Sequence, residues 1–104
     1  MQGILPEYNF YFMEKLKVIK EQLNRGEVEE ALVALDTYLR DEDAPSRDEA
    51  YYLTGNAYRK KGDWQQALNN YQLAIEINPE SPAVEARKTA IDILDFYHKD
   101  MYNQ

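Results

Sequence analysis

Residues 48–81 carry two helical patterns in succession, and each is followed by a residue that ends a helix. In the first pattern, small or apolar side chains recur at steps of three and four residues: Ala50, Tyr51, Leu53, Thr54, Ala57 and Tyr58. This spacing places them on one face of an α-helix. Gly62 suits the left-handed conformation that follows a helix, and Pro79 stops the next one because it has no amide hydrogen. The segment therefore predicts a helical hairpin.

The start of each helix also has a signature. Ser46 with Glu49 three residues later forms a capping box, and Asp63 with Gln66 repeats that spacing. The second helix then has its own apolar stripe: Trp64, Ala67, Leu68, Tyr71, Ala74 and Ile75. Gly55, Ala67 and Ala74 are small, so we expect them where the two antiparallel helices cross most closely.

Several of these residues stand at the offsets of a known repeat: Tyr51, Thr54, Gly55, Tyr58, Ala67, Tyr71, Ala74 and Pro79. In this order the segment resembles one complete tetratricopeptide repeat (TPR), with Thr54 where the family has Leu. The resemblance implies an all-α, TPR-like α-α superhelix. It also implies a binding surface without catalytic residues.

A divergent copy of the pattern lies upstream. Gly26 and Ala31 precede Gly62 and Ala67 by the same interval, but Lys20 stands where a small residue is usual and Tyr38 where Ala is expected. Downstream, Ser81 and Pro82 suit the start of a further helix. We predict one domain over 13–104: repeat one at about 13–45, repeat two at 48–81, and a capping helix at about 82–102.

The first twelve residues form an apolar and aromatic leader that Pro6 interrupts. Three interpretations stay open. The leader extends the first helix from near Asn9, or translation starts at Met13, or the leader docks into the binding groove.

The capping helix has apolar residues on two sides. Ala83, Arg87, Ala90, Ile91, Leu94, Tyr97 and Met101 form the stripe expected to pack on repeat two. Ile93 and Phe96 stand on another side. Either they turn into the same core, or they contact another subunit or partner.

Composition narrows the class of protein. The chain has 19 acidic and 12 basic residues, a formal net charge of −7, and no cysteine. Nucleic-acid binding is disfavoured, since it needs clustered Lys and Arg. The sequence shows neither a membrane span nor a secretory signal, and we expect a cytoplasmic protein. The acidic runs at 27–30 and 41–43 are solvated surface, or they contact a basic partner.

The sequence shows no group of residues typical of a catalytic or metal-binding site. His98 is the single histidine, with only Asp92 and Asp95 near it on the helix, so a surface or packing role is favoured over a metal site. No catalytic constellation, phosphate loop, metal site or cofactor site is predicted.

The resemblance implies a groove lined by the first helix of each hairpin. The matching residues are Lys17, Tyr52, Asn56, Arg59 and Lys60, with Arg87 from the capping helix. Asn56 corresponds to the asparagine that holds a peptide backbone in the family. A solvated amphipathic face is the alternative. The clamp for chaperone C-terminal tails is not predicted, because its places hold Lys17, Glu21, Leu53, Ala83 and Arg87.

Two functions follow as hypotheses. The first is a non-catalytic adaptor that binds a peptide or partner protein in the groove. The second is a self-associating structural module, a homodimer formed through the Ile93 and Phe96 face or through the leader, since few repeats bury little core.

Overall fold

The computed structural model describes residues 6–102, and the side chains of residues 10–97. Its regular structure over that range consists of α-helices: α1 (Pro6–Asn24), α2 (Val28–Arg40), α3 (Arg47–Lys61), α4 (Trp64–Ile77) and α5 (Ala83–Tyr102). Each helix packs against the next, and the contact between α3 and α4 is the most extensive. The all-α prediction of two hairpins and a capping helix is confirmed. Residues 1–5 lie outside the described residues.

The turn inside the second hairpin forms as the sequence predicts. Gly62 has φ +81°, a left-handed conformation that favours glycine. Its amide donates to the Arg59 carbonyl at 3.0 Å, and the Asp63 amide donates to the Tyr58 carbonyl at 2.9 Å. The Asp63 carboxylate accepts the Gln66 amide at 3.1 Å, which confirms the predicted cap of α4.

The start of α3 differs from the prediction. Ser46 precedes the helix, but it has φ +55° and makes no side-chain capping bond, so the predicted capping box is wrong. A capping hydroxyl reaches the helix amides from extended backbone, which Ser46 does not adopt. Glu49 is also engaged elsewhere, since its carboxylate lies 2.6 Å from Lys20 Nζ.

The core consists of two clusters. The larger includes Leu16, Ile19, Leu23, Leu35, Leu53 and Ala57, and joins α1, α2 and α3. The smaller consists of Ala67, Tyr71, Ala74 and Ala83, and joins α4 to α5. Tyr52 is partly buried and packs against both. It therefore links the two halves of the fold.

The divergent first hairpin is built around Tyr38. This side chain is buried, and its hydroxyl donates to the Pro45 carbonyl at 2.6 Å. The Phe12 ring meets the Tyr38 ring edge to face, with centroids 5.4 Å apart. The segment between α2 and α3 thus lies against a large aromatic residue, where a regular repeat would have alanine. Phe12 is itself a core residue, so α1 continues through this part of the leader and begins at Pro6 rather than near Asn9.

The helices α3 and α4 cross at Gly55. A Cβ atom on Gly55 would lie 2.5 Å from Cδ1 and Cε1 of Tyr71, and 3.2 Å from the Ala67 carbonyl oxygen. Both Ala67 and Tyr71 are fully buried. The predicted close crossing is therefore confirmed, and the ring of Tyr71 fills the space above the glycine.

Within the described side chains, the fully buried residues of the capping helix lie in its first half. Ala83 and Ala90 are buried, and the Ser81 hydroxyl accepts the Ala83 amide at 3.0 Å. Phe96 and Tyr97 are 63% and 60% exposed, so the prediction that Tyr97 joins the packing stripe is wrong. The reason is position along the helix: Tyr97 is the fifteenth residue of α5, whereas α4 has 14 residues. At about 1.5 Å per residue, Tyr97 stands about level with the start of α4, where the contact between the two helices ends.

We predict that Gly55→Leu strongly lowers the melting temperature. The new side chain collides with Tyr71 in a filled core, and overpacking of this kind corresponds to a loss of about 5–20 °C in a domain of this size. Thermal unfolding followed by circular dichroism measures the change.

The control is Ala34→Leu, which introduces the same side chain beside an open cleft between α1 and α2. It should melt close to the wild type. A Gly55→Leu protein that melts at the wild-type temperature would show that the helices do not cross closely at this point.

Candidate functional site

One face of α3 forms a wall of a surface cleft. Tyr52, Asn56, Arg59 and Lys60 follow each other at helical spacing, so they share that face. The opposite wall is α1, and the cleft between the two helices has a volume of about 400 Å³. We call this space the basic cleft; its lining residues are Lys20, Leu23, Asn24, Tyr52, Leu53, Asn56, Arg59 and Lys60.

Asn56 is held in place from behind by α4. The hydroxyl of Tyr71 donates to Asn56 Oδ1 at 2.6 Å. The oxygen of the amide accepts this bond, and the two Nδ2 hydrogens are the donors of that side chain. The ring of Tyr71 also lies 6.1 Å, centroid to centroid, from the ring of Tyr52. The residue that fills the helix crossing thus supports two side chains of the cleft.

Burial raises the pKa of the Tyr71 hydroxyl above its ordinary value, because the ionised phenolate is disfavoured away from water. The Arg59 guanidinium interacts with the same hydroxyl and acts in the opposite direction, more weakly. Tyr71 therefore stays protonated at neutral pH, which is the form that can donate to Asn56.

An ion pair divides the predicted groove into two. Lys20 from α1 and Glu49 from α3 meet at 2.6 Å, and Lys20 lines both the basic cleft and a second cleft beside it. Lys17 lies in this second cleft, near Tyr38, Pro45 and Ser46. Of the residues predicted for the groove, the structure brings together Tyr52, Asn56, Arg59 and Lys60, and places Lys17 in the adjacent space.

The remaining predicted residues lie on α5. Arg87 is half-buried, and its Nε meets no hydrogen-bond acceptor among the residues that the structure describes. Ile93 is half-buried, whereas Phe96 is exposed and meets Tyr97 with ring centroids 5.7 Å apart. The side chain of His98 lies outside the described residues.

The cleft also contains residues that the sequence pattern does not predict there: Lys20, Leu23 and Asn24. In the pattern, Lys20 is only a departure from the small residue of a regular repeat. The available signal was the spacing of Lys20 and Asn24, which puts both polar side chains on one face of α1.

The basic cleft differs in charge from the rest of the molecule. Its described lining residues include Lys20, Arg59 and Lys60 and no carboxylate, in a chain whose net charge is −7. Apolar contact comes from Leu23, Leu53 and the ring of Tyr52. The cleft therefore offers cationic and amide donors above an apolar floor.

The described residues contain neither a metal-binding cluster nor a membrane-spanning helix. In the described residues, no three His, Cys, Asp or Glu side chains converge on a point where a metal ion could bind. None of the described helices combines the length and apolar character required to cross a lipid bilayer.

Comparison with known proteins identifies the repeat. The sequence model of the Tetratricopeptide repeat family matches residues 48–81, which form the hairpin of α3 and α4. This chain belongs to the tetratricopeptide repeat family. The match covers the hairpin in which Gly55 and Tyr71 meet and which carries most of the basic cleft.

A solved structure of similar length resembles this chain over most of both chains. The solution structure of a Bacteroides fragilis protein is 64% identical in sequence and superposes with a TM-score of 0.75, over 86% of this chain and 89% of that one. A peptidyl-prolyl cis-trans isomerase of Saccharomyces cerevisiae is 43% identical over 54 residues, which are 49% of this chain and 14% of that enzyme. The chain thus matches only a small part of the isomerase.

We predict a pH-dependent difference between the wild type and Tyr71→Phe. At neutral pH the variant should be less stable by about 1 kcal/mol, because Asn56 loses its donor. The pKa of Tyr71 is raised in the folded state, so its contribution is complete below the unfolded value near 10 and is lost as the pH rises above it.

Denaturant unfolding of both proteins from about pH 8 to about pH 11 checks this sign. The difference in unfolding free energy should shrink towards the alkaline end. A difference that stays constant, or grows, would contradict the assignment of a raised pKa to Tyr71.

Proposed function

We propose that this protein is a non-catalytic adaptor whose basic cleft receives a peptide segment of a partner protein. One observation carries the proposal: the Tyr71 hydroxyl donates to Asn56 Oδ1 at 2.6 Å, and Asn56 lines the basic cleft. Family membership supports a protein-binding module. A fixed amide is suited to a peptide backbone, whose carbonyl groups accept such donors.

The cleft combines the features that peptide recognition requires. Tyr52 supplies a large and rigid ring, and its packing against both core clusters holds it before a ligand arrives. Leu23 and Leu53 supply apolar contact. Side chains that are already ordered lose less entropy on binding, so more of the contact energy appears as affinity.

The similarity to a prolyl isomerase does not lead us to propose catalysis for this protein. The matched residues make up only 14% of that enzyme, so the match does not extend over a whole enzyme. A role beside another protein, with this chain as the binding part, is consistent with both comparisons.

A second candidate function is self-association. Phe96 and Tyr97 are exposed and adjacent on α5, and their ring centroids lie 5.7 Å apart. Exposed aromatic pairs favour contact with another protein surface. Light scattering over a dilution series would support this candidate if a dimer persisted and if Phe96→Ser made it a monomer.

The adaptor proposal predicts that Tyr52→Ala abolishes peptide capture. Peptides would be selected from a randomised display library on the immobilised wild-type protein, and the recovered sequences titrated by calorimetry. We expect Tyr52→Ala to weaken their binding by about tenfold or more, because an aromatic anchor is a typical binding hot spot.

The matched control is Val33→Ala, a truncation of an exposed apolar side chain on α2 that lies away from the cleft. It should bind the selected peptides like the wild type. If Tyr52→Ala folds normally and binds them equally well, the basic cleft is not the binding site.

A further inference from the structure

We propose that the peptide received by the basic cleft is acidic, and that Lys20 exchanges its partner Glu49 for a carboxylate of the ligand. This inference rests on the adaptor function and specifies the chemistry of the partner. The residues that carry it are Lys20 on α1 with Asn56, Arg59 and Lys60 on α3.

The local charge of the cleft favours an acidic ligand. Lys20, Arg59 and Lys60 line one space of about 400 Å³, and the described lining contains no carboxylate. The chain as a whole has a net charge of −7, so the cleft is a positive region on an acidic protein. Both Arg59 and Lys60 are exposed and stand near the C-terminal end of α3, where the helix dipole favours cations. Such a region attracts a negatively charged segment.

The hydrogen-bond donors of the cleft suit a carboxylate. A carboxylate accepts several hydrogen bonds, and charge-assisted bonds are stronger than neutral ones. The Arg59 guanidinium and the Lys60 ammonium offer charged donors, and the Asn56 amide offers neutral ones. The Tyr71 hydroxyl donates a hydrogen bond to Asn56 Oδ1. This oxygen is the one acceptor of the Asn56 side chain, and it would otherwise repel an anion. The cleft is therefore matched to an anionic group.

The Lys20–Glu49 ion pair forms the boundary of the basic cleft. The two charged atoms are 2.6 Å apart, and the side chains are 52% and 35% exposed. An ion pair so open to water contributes little to stability, so a second carboxylate can displace the first at small cost. A carboxylate placed between Lys20 and Arg59 would satisfy two cations, whereas Glu49 satisfies one.

The shape of the cleft favours a peptide over other polyanions. Its floor includes Leu23, Leu53 and the Tyr52 ring, which suit the apolar side chains between acidic residues. Nucleic acids and extended phosphate polymers would meet the repulsion of the remaining acidic surface. The cationic residues are also different from the places of the chaperone-tail clamp, two of which hold Glu21 and Ala83.

The first test is the composition of the selected peptides. A randomised library would be selected in parallel on the wild type and on a variant with Lys20→Gln, Arg59→Gln and Lys60→Gln. We expect Asp and Glu to be enriched in the wild-type pool and not in the variant pool. For the most frequent sequence, replacing its acidic residues by Asn and Gln should weaken binding by about tenfold or more.

The second test separates the cleft from the overall charge. Arg59→Gln should weaken binding of the acidic peptide by about tenfold, the loss of one charge-assisted hydrogen bond. Lys61→Gln changes the net charge equally from the same helix, but Lys61 pairs with Glu29 at 2.8 Å and is not among the lining residues. It should leave the affinity nearly unchanged.

The third test concerns the exchange at Lys20. Glu49→Gln releases Lys20, so it should tighten binding of the acidic peptide by about threefold. Glu29→Gln makes the same change in net charge at the pair that lies outside the cleft, and should have little effect. Equal effects of the two variants would overturn the exchange.

The outcomes distinguish the inference from the function on which it rests. A wild-type pool of neutral peptides whose binding depends on Tyr52 would overturn the acidic ligand and leave the adaptor function standing. Selected peptides that bind Tyr52→Ala and the wild type equally would overturn both. Binding of inorganic phosphate that is as tight as that of the acidic peptide would assign the cleft to phosphate instead.

Discussion

The contact between Gly55 and Tyr71 is the constraint on which the rest of the structure depends. The absence of a side chain on Gly55 lets α3 and α4 approach, and the Tyr71 ring occupies the space where a Cβ would lie. The same ring ends in a hydroxyl that holds Asn56. The Tyr71 side chain therefore both packs the helix crossing and positions a residue of the basic cleft. This arrangement explains how a small domain keeps its cleft residues ordered.

The first hairpin departs from a regular repeat, and each departure has a structural consequence. Tyr38 stands where a regular repeat has a small residue. Its ring contacts Phe12 and its hydroxyl donates to the Pro45 carbonyl, so the segment between α2 and α3 packs against an aromatic ring. Lys20 replaces another small residue and reaches Glu49 across the groove. Together these side chains divide the groove and leave the basic cleft as a separate space. The divergence of repeat one thus shapes the binding surface.

Much of this architecture could be predicted from the sequence, because short-range patterns determine it. The helical stripes, the turn at Gly62 and the small residue at the crossing are local features, and the structure confirms them. The predicted capping box at Ser46 is wrong because Ser46 adopts a left-handed conformation and Glu49 pairs with Lys20 on another helix. The division of the groove and the exposure of Tyr97 also depend on where helices lie relative to each other, which spacing along one helix does not determine.

The measurement that tests this account most directly is the side-chain amide relaxation of Asn56 by ¹⁵N NMR. If the Tyr71 hydroxyl holds the amide, its order parameter should be close to that of rigid backbone, about 0.85. The amide of Asn24, which is exposed in the same cleft, provides the comparison. The account predicts that Asn56 is clearly more rigid than Asn24, and that Tyr71→Phe removes the difference. Equal mobility of the two amides in the wild-type protein would contradict it.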